Sequence, residues 1–152
     1  MTKITFGIDP DSKKHGVSIY KDGKLVDLIM NDTIELMCTI KMWQESIDFN
    51  SKIILHIEDV NGVSAAFMAR DKKTNINVKL KMAQQIGQCK QAQIEVERLC
   101  DFLGVEVVKH KISKMWKNQD GKKVFERVTG WTGRSNEDSR SAAYFGWLGV
   151  TS

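Results

Sequence analysis

Apolar and polar positions set out a meander first. Residues 3–9 run through apolar side chains to a single Asp9, and after a turn holding Pro10 the stretch 15–20 alternates again, which predicts two paired strands. The Asp22-Gly23 turn signal leads into Lys24 to Ile29 as a third strand, so the start of the chain is expected to be antiparallel. Asn31-Asp32-Thr33 followed by Glu35 has the form of a helix start with a capping box. Ile34, Met37, Cys38, Lys41 and Met42 hold a rough helical period from there to about Phe49. Lys52 to Ile57 is nearly all aliphatic, as suits a central strand covered on both faces, and Glu58 stands at its end.

The pattern is less regular beyond. Residues 59–73 fit neither helix nor loop cleanly, and Phe67 beside Arg70 is either ordinary packing or an aromatic and a cation able to stack on an unpaired base. From Val78 to Leu103 the period is strongly helical, with Leu80, Ala83, Ile86, Gly87, Ala92, Val96, Leu99 and Leu103 along one stripe and Gly104 as the stop. Gly87 costs such a helix roughly 1 kcal/mol relative to Ala, and close approach of another element is the plain reason for it. Val105 to Val108 is a further strand, and Trp116 is either a hydrophobic anchor or a ring beside a nucleic-acid backbone. Val124 to Val128 predicts a short helix ended by Gly130. Asn136 to Leu148 predicts the last helix, capped by Ser135 or Asn136, with Glu137 and Asp138 in its first turn.

Composition narrows the class. With 152 residues, 41% of them hydrophobic, one domain spanning 1–152 is expected. No apolar run approaches the roughly 18 residues that span a bilayer, and the N-terminus has no signal-like region, so a soluble cytoplasmic protein is expected. Cys38, Cys89 and Cys100 show no CxxC spacing and read as reduced core cysteines. The net charge of +4 is mild, but six lysines lie between Lys109 and Lys123 with Asp120 as the one carboxylate among them. They form either a solvated face or a phosphate-binding segment.

The candidate chemistry lies in the acids. A carboxylate at a strand end, such as Asp9, often does no more than open a turn, and acids in a first helical turn are favoured by the helix dipole anyway. Yet Asp9, Glu58 and the pair Glu137-Asp138 are far apart in sequence, and two strands and a helix that converged would bring them together. A divalent-metal site needs that arrangement.

Gly7-Ile8-Asp9-Pro10-Asp11-Ser12 with Gly16, Ile57-Glu58-Asp59-Val60, Ile86-Gly87-Gln88 and Arg140-Ser141-Ala142-Ala143, in this order, resemble the RuvC family of Holliday-junction resolvases, of a phage type. The resemblance runs from about residue 4 to about residue 148. It implies a single α/β domain of RNase H-like fold: a mixed five-stranded sheet whose first three strands are antiparallel, with helices on both faces. It further implies a homodimer in the cytoplasm of a bacterial cell or phage-infected host. Such a dimer binds four-way DNA junctions and cuts them symmetrically with two Mg²⁺ or Mn²⁺ ions per site and no nucleotide cofactor.

By position, Asp9 and Glu58 match the first two catalytic acids and Asp138 the first of a C-terminal pair, whose second member falls on Ser141. Asp9 is then the bridging ligand, flanked by Glu58 and Asp138; at Ser141 either Glu137 with Asp138 supplies the missing charge through a shifted helix register, or the metal site is weakened, or the substitution disables it. Asp11 stands where the family usually has Gly. Lys114 and Lys122 match the basic residues near the scissile phosphate, Lys111 and Lys117 are expected as backbone contacts beside Lys123, and Phe67, next to Arg70, resembles the family's wedge at the junction centre.

Three other functions compete. An actin-like ATPase shares the Gly-Ile-Asp strand but needs two such domains. A junction-binding protein that does not cut shares the basic surface. An RNase H-like nuclease acting on RNA or on other branched DNA shares the acids.

Overall fold

The computed structural model describes residues 2–62 and 75–152, so Phe67 and Arg70 lie outside the described residues. Strands β1 (Lys3–Asp9), β2 (His15–Lys21) and β3 (Lys24–Asn31) form the expected meander. At its tight turn Asp22 and Gly23 both take positive φ, 50° and 84°, which suits the right-handed twist of a two-residue hairpin. Helix α1 (Thr33–Ser46) begins at Asp32, whose carboxylate accepts from the Glu35 amide while Glu35 returns the bond to the Asp32 amide. Strand β4 (Lys52–Glu58) then runs parallel to β1, and a long helix α2 (Ile76–Leu103) crosses over to β5 (Glu106–His110), parallel to β4. The sheet order is β3-β2-β1-β4-β5. Helices α3 (Gln119–Thr129) and α4 (Glu137–Thr151) complete the described chain.

Side-chain alternation sorts the sheet into two faces. Ile4, Phe6 and Ile8 of β1, Val17 and Ile19 of β2 and Ile53, Leu55 and Ile57 of β4 pack with Leu36 and Ile40 of α1 and Val96 and Cys100 of α2. The other face lies under α4, whose Ala143 joins Tyr20, Leu25, Trp116 and Phe125 in a second cluster. Helices therefore cover both faces, as the sequence implies.

Several expectations change. Helix α3 starts at Gln119 because the Asn118 side chain caps it by accepting from the Gly121 amide, so the short helix read at 124–128 is only its second half. The stripe on α2 is buried only from Ala92 onward, whereas Ile76 and Leu80 remain 69% and 62% exposed. A Cβ on Gly87 would meet nothing within 4 Å, so no close approach explains that glycine among the described residues. Of the cysteines only Cys100 is buried; Cys38 is exposed and Cys89 half-buried. No described helix is long and apolar enough to cross a membrane.

Candidate active site

Strand register puts the first two acids side by side. Ile8 pairs with Ile57 across the parallel β1–β4 ladder, so Asp9 and Glu58 end adjacent strands. Apolar neighbours at 8 and 57 face α1 and α2, which turns both carboxylates toward α4.

Glycines bring the third acid to them. A Cβ on Gly7 would strike the Ala142 carbonyl oxygen, and a Cβ on Gly16, the partner of Asp9 in β2, would strike that of Asp138. Only bare backbone on this stretch of β1 and β2 lets α4 lie so close. The seat is pinned by the Ser18 hydroxyl donating to the Ala142 carbonyl at 2.8 Å and the Tyr20 hydroxyl donating to that of Ala143 at 2.7 Å. Asn136 caps α4 in a reciprocal box with Ser139, which sets Asp138 in the first turn beside Asp9.

The turn after Asp9 is held from behind. The Asp11 amide donates to His15 Nδ1 at 3.1 Å, so the other ring nitrogen carries the proton and donates to Thr33 Oγ1 at 2.9 Å. Burial lowers the pKa of His15, which keeps this neutral form. On the far side, Gln93 of α2 donates to Asp59 at 3.0 Å and accepts from the Asn61 amide at 3.1 Å.

A lysine completes the cluster. Lys117 Nζ lies 3.4 Å from Asp9 Oδ2, a charge contact; that oxygen is otherwise buried without a hydrogen bond. The loop carrying Lys117 is built for this. Trp116 holds a left-handed φ of 68° while its ring packs among Phe125, Tyr144 and Trp147 with centroids 5.7, 5.4 and 5.4 Å away. Buried Arg140 of α4 then clamps the loop, its Nε donating to the Trp116 carbonyl at 2.8 Å and its Nη2 to that of Lys117 at 2.6 Å.

Titration behaviour shows how closely the groups sense one another. Burial first, and then the Asp9 charge and a hydrogen-bonding contact with Asp9, push Glu58 up to about 7 from its ordinary 4.5, against the pull of Lys117. Asp138 is raised by burial and by Asp9, again opposed by Lys117. Burial works to lower the Lys117 pKa, but Asp9, Glu58 and Asp138 outweigh it and the ammonium is held above its usual value.

Thus Asp9, Glu58 and Asp138 are brought together, and Asp11 stands near enough to act on Asp138. Glu137 is exposed and reaches the cluster only as a weaker charge on Asp138. Lys111, Lys114 and Lys123 are exposed and Lys122 half-buried; none of the four forms an ion pair among the described residues. The lysine that meets the acids is Lys117, expected as an ordinary backbone contact. Sequence reading also missed Arg140 and Gln93 as supports, although a lone Arg among small helical residues is an available signal for the first.

Among the described residues no three His, Cys, Asp or Glu side chains form a ready-made metal cage. The donor set nevertheless suits a hard cation: three carboxylates of which two are held above their ordinary pKa, and a buried Asp9 oxygen lacking a hydrogen bond, are short of positive charge.

A mixed five-stranded sheet in this order, antiparallel at one side and parallel at the other with helices on both faces, is an RNase H-like fold. Within that class the fold is that of RuvC. T. thermophilus RuvC in complex with Holliday junction substrate superposes with a TM-score of 0.61 at 10% identity, over 95% of this chain and 90% of that one. A second Thermus thermophilus RuvC structure gives a TM-score of 0.51 at 12% identity, over 97% and 92%. No protein-family model and no curated protein matches the sequence.

Proposed function

We propose that the chain is a metal-dependent endonuclease that resolves four-way DNA junctions. The observation that carries this reading is the meeting of Asp9, Glu58 and Asp138 beside Lys117 at the ends of β1 and β4, on a RuvC fold. The three carboxylates would hold Mg²⁺ or Mn²⁺. When bound, such a cation activates water and offsets charge on the phosphate. The residues themselves supply the rest: Lys117 presents a fixed ammonium at the acids, and Lys111, Lys114, Lys122 and Lys123 lie on the segment leading away from it and would follow the DNA backbone.

Symmetric cutting requires two sites, hence a homodimer. The exposed apolar residues Ile76, Leu80 and Met82 of α2 support a contact there. The reading entails a cytoplasmic protein that uses no nucleotide cofactor.

One observation favours a junction-binding protein without cleavage: Ser141, in the place where the resemblance puts a second helical acid, is fully buried and neutral. Labelled synthetic junctions separate the two. Paired nicks that appear with Mg²⁺ and vanish with EDTA support the nuclease, and a mobility shift without nicks under both conditions supports the binder. Duplex and RNA substrates in the same panel report selectivity.

A further inference from the structure

We propose that His15 is a positioning residue of the acid site, with its Nδ1 setting the loop after Asp9 and its Nε2 serving the fold. The inference rests on the nuclease reading and adds to it a residue outside the three acids.

The loop between β1 and β2 is short of anchors. Its base is the Asp9–Gly16 pair of the ladder. Pro10 has no amide hydrogen, so Asp11 carries the first N–H after Asp9 that can hold the chain, and it donates to His15 Nδ1 at 3.1 Å. The bonds that the Asp11 carboxylate accepts, from the Ser12 hydroxyl at 3.3 Å and the Lys13 amide at 3.4 Å, stay within the loop. Lys14 reaches Glu35 of α1 at 3.5 Å, but both side chains are exposed, and an ion pair of that kind contributes little. Among the described residues, His15 is the buried link from this loop to the body of the domain.

The ring is fixed in place and in tautomer. It is 1% exposed, and its Nε2 lies 2.9 Å from Thr33 Oγ1 in the first turn of α1. A backbone amide can only donate, so Nδ1 must accept and a neutral ring must carry its hydrogen on Nε2. Asp9 and Asp11 on the loop side, Asp32 before α1 and Glu95 of α2 all favour a charged ring, yet burial outweighs them and lowers its pKa. One side chain thus forms a strut of fixed polarity between the start of α1 and the loop.

The strut bears on the acids through its neighbour. Gly16 follows His15 directly, pairs with Asp9, and is the place where the Asp138 carbonyl rests on the sheet. A shift at this corner moves Asp9 relative to both Glu58 and Asp138. Misplacing reacting groups by about 1 Å can cost about 100-fold in rate.

Two substitutions divide the ring's roles. Asn puts its amide oxygen where Nδ1 is and cannot reach Thr33, whereas Gln puts its amide nitrogen where Nε2 is and offers the Asp11 amide no acceptor. With protein in excess over labelled junction and with Mg²⁺ present, His15→Gln should cut about 10–100-fold more slowly. Its gel-shift affinity should be unchanged, because every lysine is kept. His15→Asn should retain most of the rate while melting below the wild type. Thr33→Val, which removes the Nε2 partner and leaves the ring, should do the same and replaces the Asn variant if that one is unfolded. Imidazole nitrogen shifts, read by NMR at pH 8, need no variant and should show His15 neutral and protonated on Nε2. A ring protonated on Nδ1, a folded His15→Gln that cuts at the wild-type rate, or equal rate losses on breaking either bond overturns the inference and leaves the nuclease reading standing. A wild type that cuts no junction with Mg²⁺ or Mn²⁺ overturns both.

Discussion

Replacing Glu58 with Gln should stabilise the metal-free protein. Glu58 is 5% exposed and lies against Asp9, and its pKa is raised from 4.5 to about 7. A carboxyl whose folded-state pKa exceeds its unfolded value holds its proton more tightly when folded, so stability falls as pH rises from about 4.5 to about 7 and levels off above. At about 1.4 kcal/mol per pKa unit, ionising Glu58 in the folded state costs about 3 kcal/mol. Gln keeps the shape and cannot ionise, and its amide can donate to Asp9 as the protonated acid does.

Melts followed by circular dichroism in EDTA should place Glu58→Gln above the wild type at pH 8, by roughly 5–10 °C for a chain of this size. Near pH 4.5 the two curves should nearly coincide. Saturating Mg²⁺ should reverse the order at pH 8, because it lends the wild type binding energy that the variant largely lacks. A variant no more stable than the wild type at pH 8 in EDTA, or a gap that does not change with pH, refutes the crowding of negative charge on which the site rests.

Asp9→Asn should abolish junction cleavage while a gel-shift assay still detects junction binding, since it removes a ligand and leaves the basic surface intact; normal cutting by this variant removes the centre of the proposal. Gly16→Ala drives a methyl into the Asp138 carbonyl, so denaturant melts should show a loss of about 2–3 kcal/mol and cleavage should fall with it, because α4 must shift. Arg140→Met leaves the Trp116 and Lys117 carbonyls without their donor, at about 3 kcal/mol in all. That variant should also lose near-ultraviolet dichroism from the aromatic cluster; an unchanged spectrum with unchanged stability would rule out the clamp.

What was legible in the sequence follows local chemistry. Strand ends at Asp9 and Glu58 show because an apolar run stops on one acid, the first helix start shows because a capping box is spelled within four residues, and the last because Ser135 or Asn136 precedes acids suited to a first turn. The extent of α3 was not legible, since Gly121 within its first turn looks like a turn residue and the Asn118 cap is clear only once Trp116 is placed. Gly87 was legible as an oddity, but none of the described residues approaches it, so its expected cause finds no support among them.

Lys117 marks where local reading ends. Six lysines crowd the segment from Lys109 to Lys123, and nothing in their spacing says which one turns inward. That choice is made by the left-handed φ that its neighbour Trp116 adopts, by an aromatic cluster drawn from two helices and by an arginine on the last helix, and a short window around Lys117 contains neither that cluster nor that arginine. Once the choice is made, it bears on the feature the sequence did show. Asp9 begins as a carboxylate that ends a strand, and the structure sets one of its oxygens, buried and without a hydrogen bond, 3.4 Å from the Lys117 ammonium.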